Sequence, residues 1–213
     1  MGRASPLKRQ PAADRTAPIA GTDERALAAR LRSGNPEAIE QLHRTYFDRL
    51  YRLVFHSVRR DQAAAEDIVQ DVFLSAIRSA RGFEGNSMLY TWLVGIARHK
   101  TVDYYRDEQK EAHHEMKSPD DAPTGLKAVA DHRSSIADDL ESIELKDAVA
   151  EALAALPLDY RQVLLLKYVE GMTIPEIGQV LKRSAKAIDG LLTRARQSLR
   201  ENLSGDMRGK THF

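Results

Sequence analysis

Apolar side chains recur every three or four positions through most of this chain, and nowhere do they alternate over the length of a strand. That pattern predicts helices. The first is expected from Asp23 through Leu31, ended by Ser33-Gly34-Asn35-Pro36. A longer one starts at Pro36 and carries Ile39, Leu42, Tyr46, Leu50, Leu53 and Val54 on its apolar side. Asp61 reads as the cap of a helix from Ala63 to about Ala80, with Ala65, Ile68, Val69, Val72, Phe73 and Ala76 inward. Arg81–Ser87 is a loop with two glycines, and Ser87 is expected to cap a helix from Met88 to about Asp107. Leu89, Trp92, Leu93 and Ile96 form that helix's core stripe. Periodicity returns from Leu140 to Ala155, and a further helix from Tyr160 to Glu170 stops at Gly171.

The last periodic stretch is the most informative. Thr173 and Glu176 have the spacing of a capping box, T-x-x-E, and Pro175 sits in the first turn, where its missing N–H costs nothing. The short helix they start ends near Leu181. Ser184 is a second N-cap a few residues later, followed by an apolar face of Ile188, Leu191, Leu192, Ala195 and Leu199. Two short helices joined by a tight turn, the second amphipathic and basic, predict a DNA-reading helix-turn-helix; an ordinary helical hairpin in a bundle has the same outline.

The fold class is therefore all-α, as two small helical domains over residues 23–107 and 140–204 joined by a flexible linker over 108–139. The linker is charged, holds Pro119 and Pro123 and has few large apolar residues. Residues 1–22, rich in Pro, Ala, Arg and Gly, read as a disordered extension, and 205–213 as a tail with no further domain after Phe213. The 213 residues carry a net charge of +1, so any basic surface must be local. Absence of cysteine excludes disulfides, thiolate metal sites and Cys catalysis, and suits a reducing cytoplasm. No signal peptide is expected, and the longest apolar segment, around Met88–Ala97, is too short to cross a bilayer.

Three surfaces carry candidate chemistry. Opposite the core stripe of the Asp61 helix stand Asp67, Gln70, Asp71, Leu74 and Arg78. Leucine ringed by acids is the pattern of a protein-contact anchor with a polar rim, although single exposed leucines are common. The outward side of the Met88 helix is expected to offer Thr91, Val94, Arg98, Thr101 and Tyr105, flanked by His99, Lys100 and Arg106. Cations interleaved with aromatic and hydroxyl groups suit single-stranded nucleic acid, as phosphate contacts plus stacking surfaces. On the recognition helix Lys186, Gly190, Thr193 and Gln197 point away from the apolar stripe, surrounded by Lys182, Arg183, Arg194, Arg196 and Arg200. Asp189 opposes phosphate unless it pairs with an Arg or accepts from a cytosine amino group. His113-His114-Glu115 is a poor metal site, because adjacent helical histidines point about 100° apart. No Gly-rich phosphate loop or partnered nucleophile occurs, so neither a cofactor nor an enzyme activity is expected.

The run Ala65-Glu66-Asp67-Ile68-Val69-Gln70-Asp71-Val72-Phe73, then Tyr90-Thr91-Trp92-Leu93 with Ile96-Ala97-Arg98, then Leu156-Pro157 and the hairpin ending Thr193-Arg194-Ala195-Arg196, resembles the extracytoplasmic-function (ECF) sigma factors of bacterial RNA polymerase. The resemblance covers roughly residues 25–107 and 140–203 in the family's order. It implies a region 2 bundle whose face Asp67, Gln70, Asp71, Leu74 and Arg78 binds the β′ clamp helices of core polymerase. It implies that Phe83, Asn86, Ser87, Tyr90, Arg98, His99, Thr101 and Tyr105 open and capture the minus-10 element. Region 4, with Thr173, Arg183, Ser184, Lys186, Asp189, Gly190, Thr193, Arg194, Arg196 and Gln197, would read minus-35 as duplex and meet the β flap. An anti-sigma protein is a further partner that the family implies. Departures are His99, where Asn is common, and Ala187, Asp189, Gly190 and Leu191, where Thr, Lys, Ser and Arg are more usual. Read from residues alone, the competing function is a stand-alone helix-turn-helix regulator, which leaves the acidic face of the first domain unexplained.

Overall fold

Local capping sets most helix starts in the computed structural model, which describes the backbone of residues 21–115 and 138–209 and the side chains of 24–111 and 145–204. Helix α1 (Gly21–Arg32) is followed by α2 (Pro36–Ser57), where the Asn35 side chain accepts from the Ala38 N–H at 3.1 Å. Asp61 caps α3 (Gln62–Ser79) in the same way, accepting from the Ala64 N–H at 3.0 Å. The start of α4 (Leu89–Glu115) differs from expectation. Its first N–H, on Leu89, is bound at 2.7 Å by the carboxylate of Glu24 on α1, so another helix supplies the cap and not Ser87. The same carboxylate accepts from the Tyr46 hydroxyl at 3.2 Å, which stitches α1, α2 and α4 together beneath the surface.

Helix α4 also runs on to Glu115, through residues 108–115 that composition assigns to the linker. Acidic and basic side chains at helical spacing sustain it there, as in the Lys110–Asp107 pair at 2.7 Å. The rest of the expected linker up to 137, the extension through residue 20 and residues 210–213 lie outside the described residues.

The second domain comprises α5 (Asp138–Ala154), α6 (Leu158–Leu164), α7 (Ile174–Leu181) and α8 (Ala185–Gly209). Helix α8 therefore continues into the segment assigned to a tail. After α6 the chain widens into a π-helical turn over Leu165–Val169 before Gly171 ends it at φ +67°. No strand occurs among the described residues.

All six inward residues expected on α3 are buried, as are Leu89 and Leu93 on α4 and Ile188, Leu191, Leu192 and Ala195 on α8. These do not form two separate cores. The second domain is closed on the first, chiefly by α7 against α4, with the π-turn and α6 against α2. Leu53, Val54, Val94 and Ala97 of the first domain and Leu166 and Val180 of the second line one small cavity at the junction. Burying an aliphatic side chain there contributes about 1.5–3 kcal/mol, so this seam is a substantial part of the fold's stability.

Candidate nucleic-acid interface

The helix-turn-helix is built by side chains that satisfy backbone groups at the starts of both helices. The Thr173 N–H donates to the Glu176 carboxylate at 2.7 Å, and the Thr173 hydroxyl faces the Glu176 N–H at 3.5 Å. Ser184 caps α8, accepting from the Ala187 N–H at 3.3 Å. Between them Lys182 takes the left-handed conformation at φ 52°. Gly178, to which the sequence draws no attention, is what lets this turn close. A Cβ there would lie 2.8 Å from the Arg183 carbonyl oxygen, a backbone atom that cannot swing aside.

With its apolar face buried, α8 turns Lys186, Asp189, Thr193, Arg194, Arg196 and Gln197 to solvent, with Gly190 half-buried among them. Thr193 and Arg196 are steadied by bonds to the carbonyls of Asp189 (2.9 Å) and Leu192 (3.2 Å), and Gln197 donates to Glu201 at 2.8 Å. Lys186 and Arg194 make no hydrogen bond or ion pair among the described residues, so their cations are available to phosphate. Gly190 does not serve packing within the chain. A Cβ there would meet only the Arg194 side chain, at 3.7 Å.

On α3, Asp67, Gln70, Asp71, Leu74 and Arg78 are all exposed on one face. Leu74 is 42% exposed, and Ile77, one turn on and absent from the sequence reading, joins it at 37%. The exposed apolar spot on this face is thus a pair of aliphatic residues. Asp71 is engaged by Lys100 of α4 at 2.8 Å.

The face of α4 is where expectation and structure part. Phe83 is buried and packs on Trp92 with ring centroids 4.9 Å apart, which braces the loop, and Asn86 donates to Glu84 at 2.8 Å. Asn86, Ser87 and His99 border an open groove whose far wall is Gln179 and Lys182 of the second domain. Tyr90, Thr91, Val94 and Thr101, expected outward or on the DNA-facing set, are buried. The reason is tertiary: α4 carries apolar or small residues on two faces, and the second domain covers the one that the first leaves free.

Contacts across this seam use charged groups that no local pattern flags. Glu170 accepts from Arg49 Nε at 2.7 Å and from the Tyr90 hydroxyl at 2.7 Å, while the Arg49 guanidinium lies 3.8 Å from the centre of the Tyr90 ring. Burial first, and then the Glu170 charge and hydrogen bond, push the Tyr90 hydroxyl far above the usual phenol range. Arg161, 1% exposed, donates to the carbonyls of Ser57, Leu153, Ala154 and Leu156 and to the Tyr105 hydroxyl, which in turn donates to Ser57. Asp159 of α6 pairs with Arg183 and stands 3.9 Å from Arg98. Among the described residues no group of three His, Asp or Glu side chains converges as a metal site would require.

Comparison with known proteins is consistent in order and extent. A family model described as Sigma-70 region 2 matches residues 42–111, and one described as Sigma-70, region 4 matches residues 146–199. The chain is 26% identical over 179 residues to the ECF RNA polymerase sigma factor SigW of Bacillus subtilis, covering 81% of this chain and 92% of that protein. It is 27% identical over 167 residues to SigX of the same organism, covering 78% and 84%. Among solved structures it is similar to CnrH in complex with the cytosolic domain of CnrY, with a TM-score of 0.62, 28% identity and coverage of 86% and 98%. The sigma factor RpoE of Bartonella quintana, solved with the anti-sigma factor NepR, shares the fold at a TM-score of 0.60 and 24% identity, over 78% and 96%.

Proposed function

This chain belongs to the ECF sigma factors of the sigma-70 family, and from that membership we propose a division of labour among its three surfaces. It is an RNA polymerase sigma factor that binds core polymerase and directs initiation at specific promoters. The α3 face, Asp67, Gln70, Asp71 and Arg78 around Leu74 and Ile77, docks on the β′ clamp helices. The groove bordered by Asn86, Ser87 and His99, with Arg98, Tyr90, Thr101 and Tyr105 once uncovered, takes the minus-10 strand. Extruding a base costs a few kcal/mol, which stacking and polar contacts there must return. The solvent face of α8 enters the minus-35 major groove, Lys186 and Arg194 setting register on phosphates while Thr193 and Gln197 reach base edges. The protein acts in the cytoplasm without catalysis of its own, and an anti-sigma protein is its regulator, as such a partner is bound to RpoE in the solved complex.

The observation that carries this reading is α8: a helix with one face fully buried and the other holding free cations around polar side chains, in a domain that follows a region 2 match. A stand-alone helix-turn-helix regulator is not favoured, since it gives the first domain no task. The test is run-off transcription with core polymerase on a promoter library, with and without this protein. Promoter-specific transcripts that need the protein are expected. Binding to a palindromic duplex without polymerase, and no transcripts with it, would overturn the reading.

A further inference from the structure

Between α2 and α3 the backbone turns left-handed at two successive residues, Arg59 at φ 58° and Arg60 at φ 66°. Long side chains seldom take that conformation, and the other non-glycine example among the described residues is Lys182, in the tight turn before α8. Strain of this kind persists where the surrounding structure imposes it, and it clusters at functional positions. Arg60 has a partner, Asp147 of α5 at 3.0 Å. Arg59 is exposed and makes no hydrogen bond or ion pair among the described residues; its guanidinium lies 5.2 Å from the centre of the Tyr105 ring.

The Arg59 side chain borders an open cleft of about 430 Å³ between α4 and the start of α6. Arg106 of α4 and Arg161 of α6 line the same cleft, and no carboxylate does. Arg106 holds Asp103 at 3.2 Å, but both groups are exposed, and such a pair is worth little and easily exchanged. Arg161 spends its donors on carbonyls and the Tyr105 hydroxyl, all neutral, so no acid cancels its charge. Cations gathered in a cleft with low-dielectric walls focus a positive field there. Much of the remaining wall is apolar: Val102, Leu156, Pro157 and Leu158.

We propose that this cleft is a binding site for a nucleoside phosphate, with the phosphates on Arg59 and Arg106 and the flat base against the Pro157 and Leu158 wall. The cleft has the size of a small-ligand site. Guanidinium forks match phosphate oxygens two at a time, and the apolar wall favours a planar organic group over a bare anion or a sugar. Arg59 and Arg106 belong to none of the residue sets proposed above for polymerase or promoter, so the site stands apart from that reading.

Isothermal titration calorimetry of the full chain with ADP and with GDP should show one saturable site, with Kd below about 1 mM for at least one of them. Pyrophosphate and ribose 5-phosphate, which lack the base, should bind about tenfold more weakly or worse. Arg106→Ala and Arg59→Gly, both at exposed positions, should each weaken the nucleotide about tenfold or more. Arg59→Gly is the sharper variant, because glycine relaxes the left-handed backbone: it should melt no lower than the parent while losing the ligand. At a hundredfold excess over Kd the nucleotide should raise the parent's Tm by about 5–10 °C. Neither nucleotide saturating, pyrophosphate binding as tightly as the nucleotide, or full affinity in Arg59→Gly overturns the proposal. A short oligothymidylate that displaces the nucleotide and binds more tightly also overturns it, by making the cleft a strand contact. Should Arg59→Gly melt well below the parent, Arg106→Ala decides, and unchanged affinity there overturns the site.

Discussion

Arg161→Met tests whether a buried cation with no carboxylate partner holds the two domains together. The guanidinium is 1% exposed and all five of its N–H donors are spent: on Leu153 (3.0 Å), Ala154 (2.8 Å), Leu156 (2.9 Å) and Ser57 (2.6 Å) carbonyls and on the Tyr105 hydroxyl (2.9 Å). These carbonyls lie at or just past the C-terminal ends of α2 and α5, where orphan acceptors and the negative helix end favour a cation. Methionine would keep much of the volume and remove every donor. Two acceptors retain a partner, Leu153 through the Leu156 N–H and Ser57 through the Tyr105 hydroxyl. Ala154 and Leu156 are left bare, at about 1–3 kcal/mol each. The added apolar burial and the relief of a desolvated charge return about 1–2 kcal/mol. A net loss of about 3 kcal/mol follows, or about 6–12 °C in Tm for a chain of this size unfolding cooperatively. Thermal melts by circular dichroism measure it directly. Arg161→Lys keeps the charge but offers three donors from a point centre, and should recover only part of the loss. A Tm for Arg161→Met within about 2 °C of the parent, or full recovery by lysine, would refute the carbonyl-cage account.

Four further outcomes are expected. Gly178→Ala pushes a Cβ against the Arg183 carbonyl and should cost about 1–3 kcal/mol in urea unfolding despite the better helix propensity, whereas Gly190→Ala, whose Cβ would make only ordinary contact with the Arg194 side chain, should gain up to about 1 kcal/mol. Leu74→Arg at an exposed site should leave the melting curve unchanged and weaken core-polymerase binding tenfold or more, about 1.4 kcal/mol, as measured by fluorescence anisotropy. Lys186→Ala, which removes an unpaired cation of α8, should flatten the log–log salt slope of promoter binding by about 0.9; an unchanged slope places that residue off the phosphates. His56 resists protonation in the fold, through burial first and the Arg60 charge second. Its folded pKa lies below the unfolded value of about 6.5, so its contribution is complete above that pH and is lost as the pH falls below it. The loss is at most about 1.4 kcal/mol per pH unit, and His56→Gln should flatten the urea midpoint between about pH 6.5 and 5.5.

Most of the helices were legible from residues within four positions of one another. Asp61, Thr173 with Glu176, and Ser184 cap the helices they precede, because a side chain reaches an N–H two or three residues on whatever the rest of the chain does. The inward faces of α3 and α8 follow from the same short-range period, and so do the outward sets left over, Asp67 to Arg78 and Lys186 to Gln197. The surface of α4 was not legible in this way. Which of its two small-residue faces is wet depends on whether another domain lies there, and no period within α4 reports that. Glu24 caps α4 from 65 residues away, and Glu170 holds Arg49 from 121. Such pairs carry no spacing rule, and a lone Glu before a helix-ending glycine looks like any solvated acid. Sequence alone determined where most helices lie, the caps made by the residues just before them and the two outer surfaces, which depend on neighbours along the chain. Only the tertiary structure decided that Arg161 and Glu170 are buried between domains and that the face of α4 proposed to bind the strand is covered, because those outcomes depend on what water is excluded from once distant helices meet.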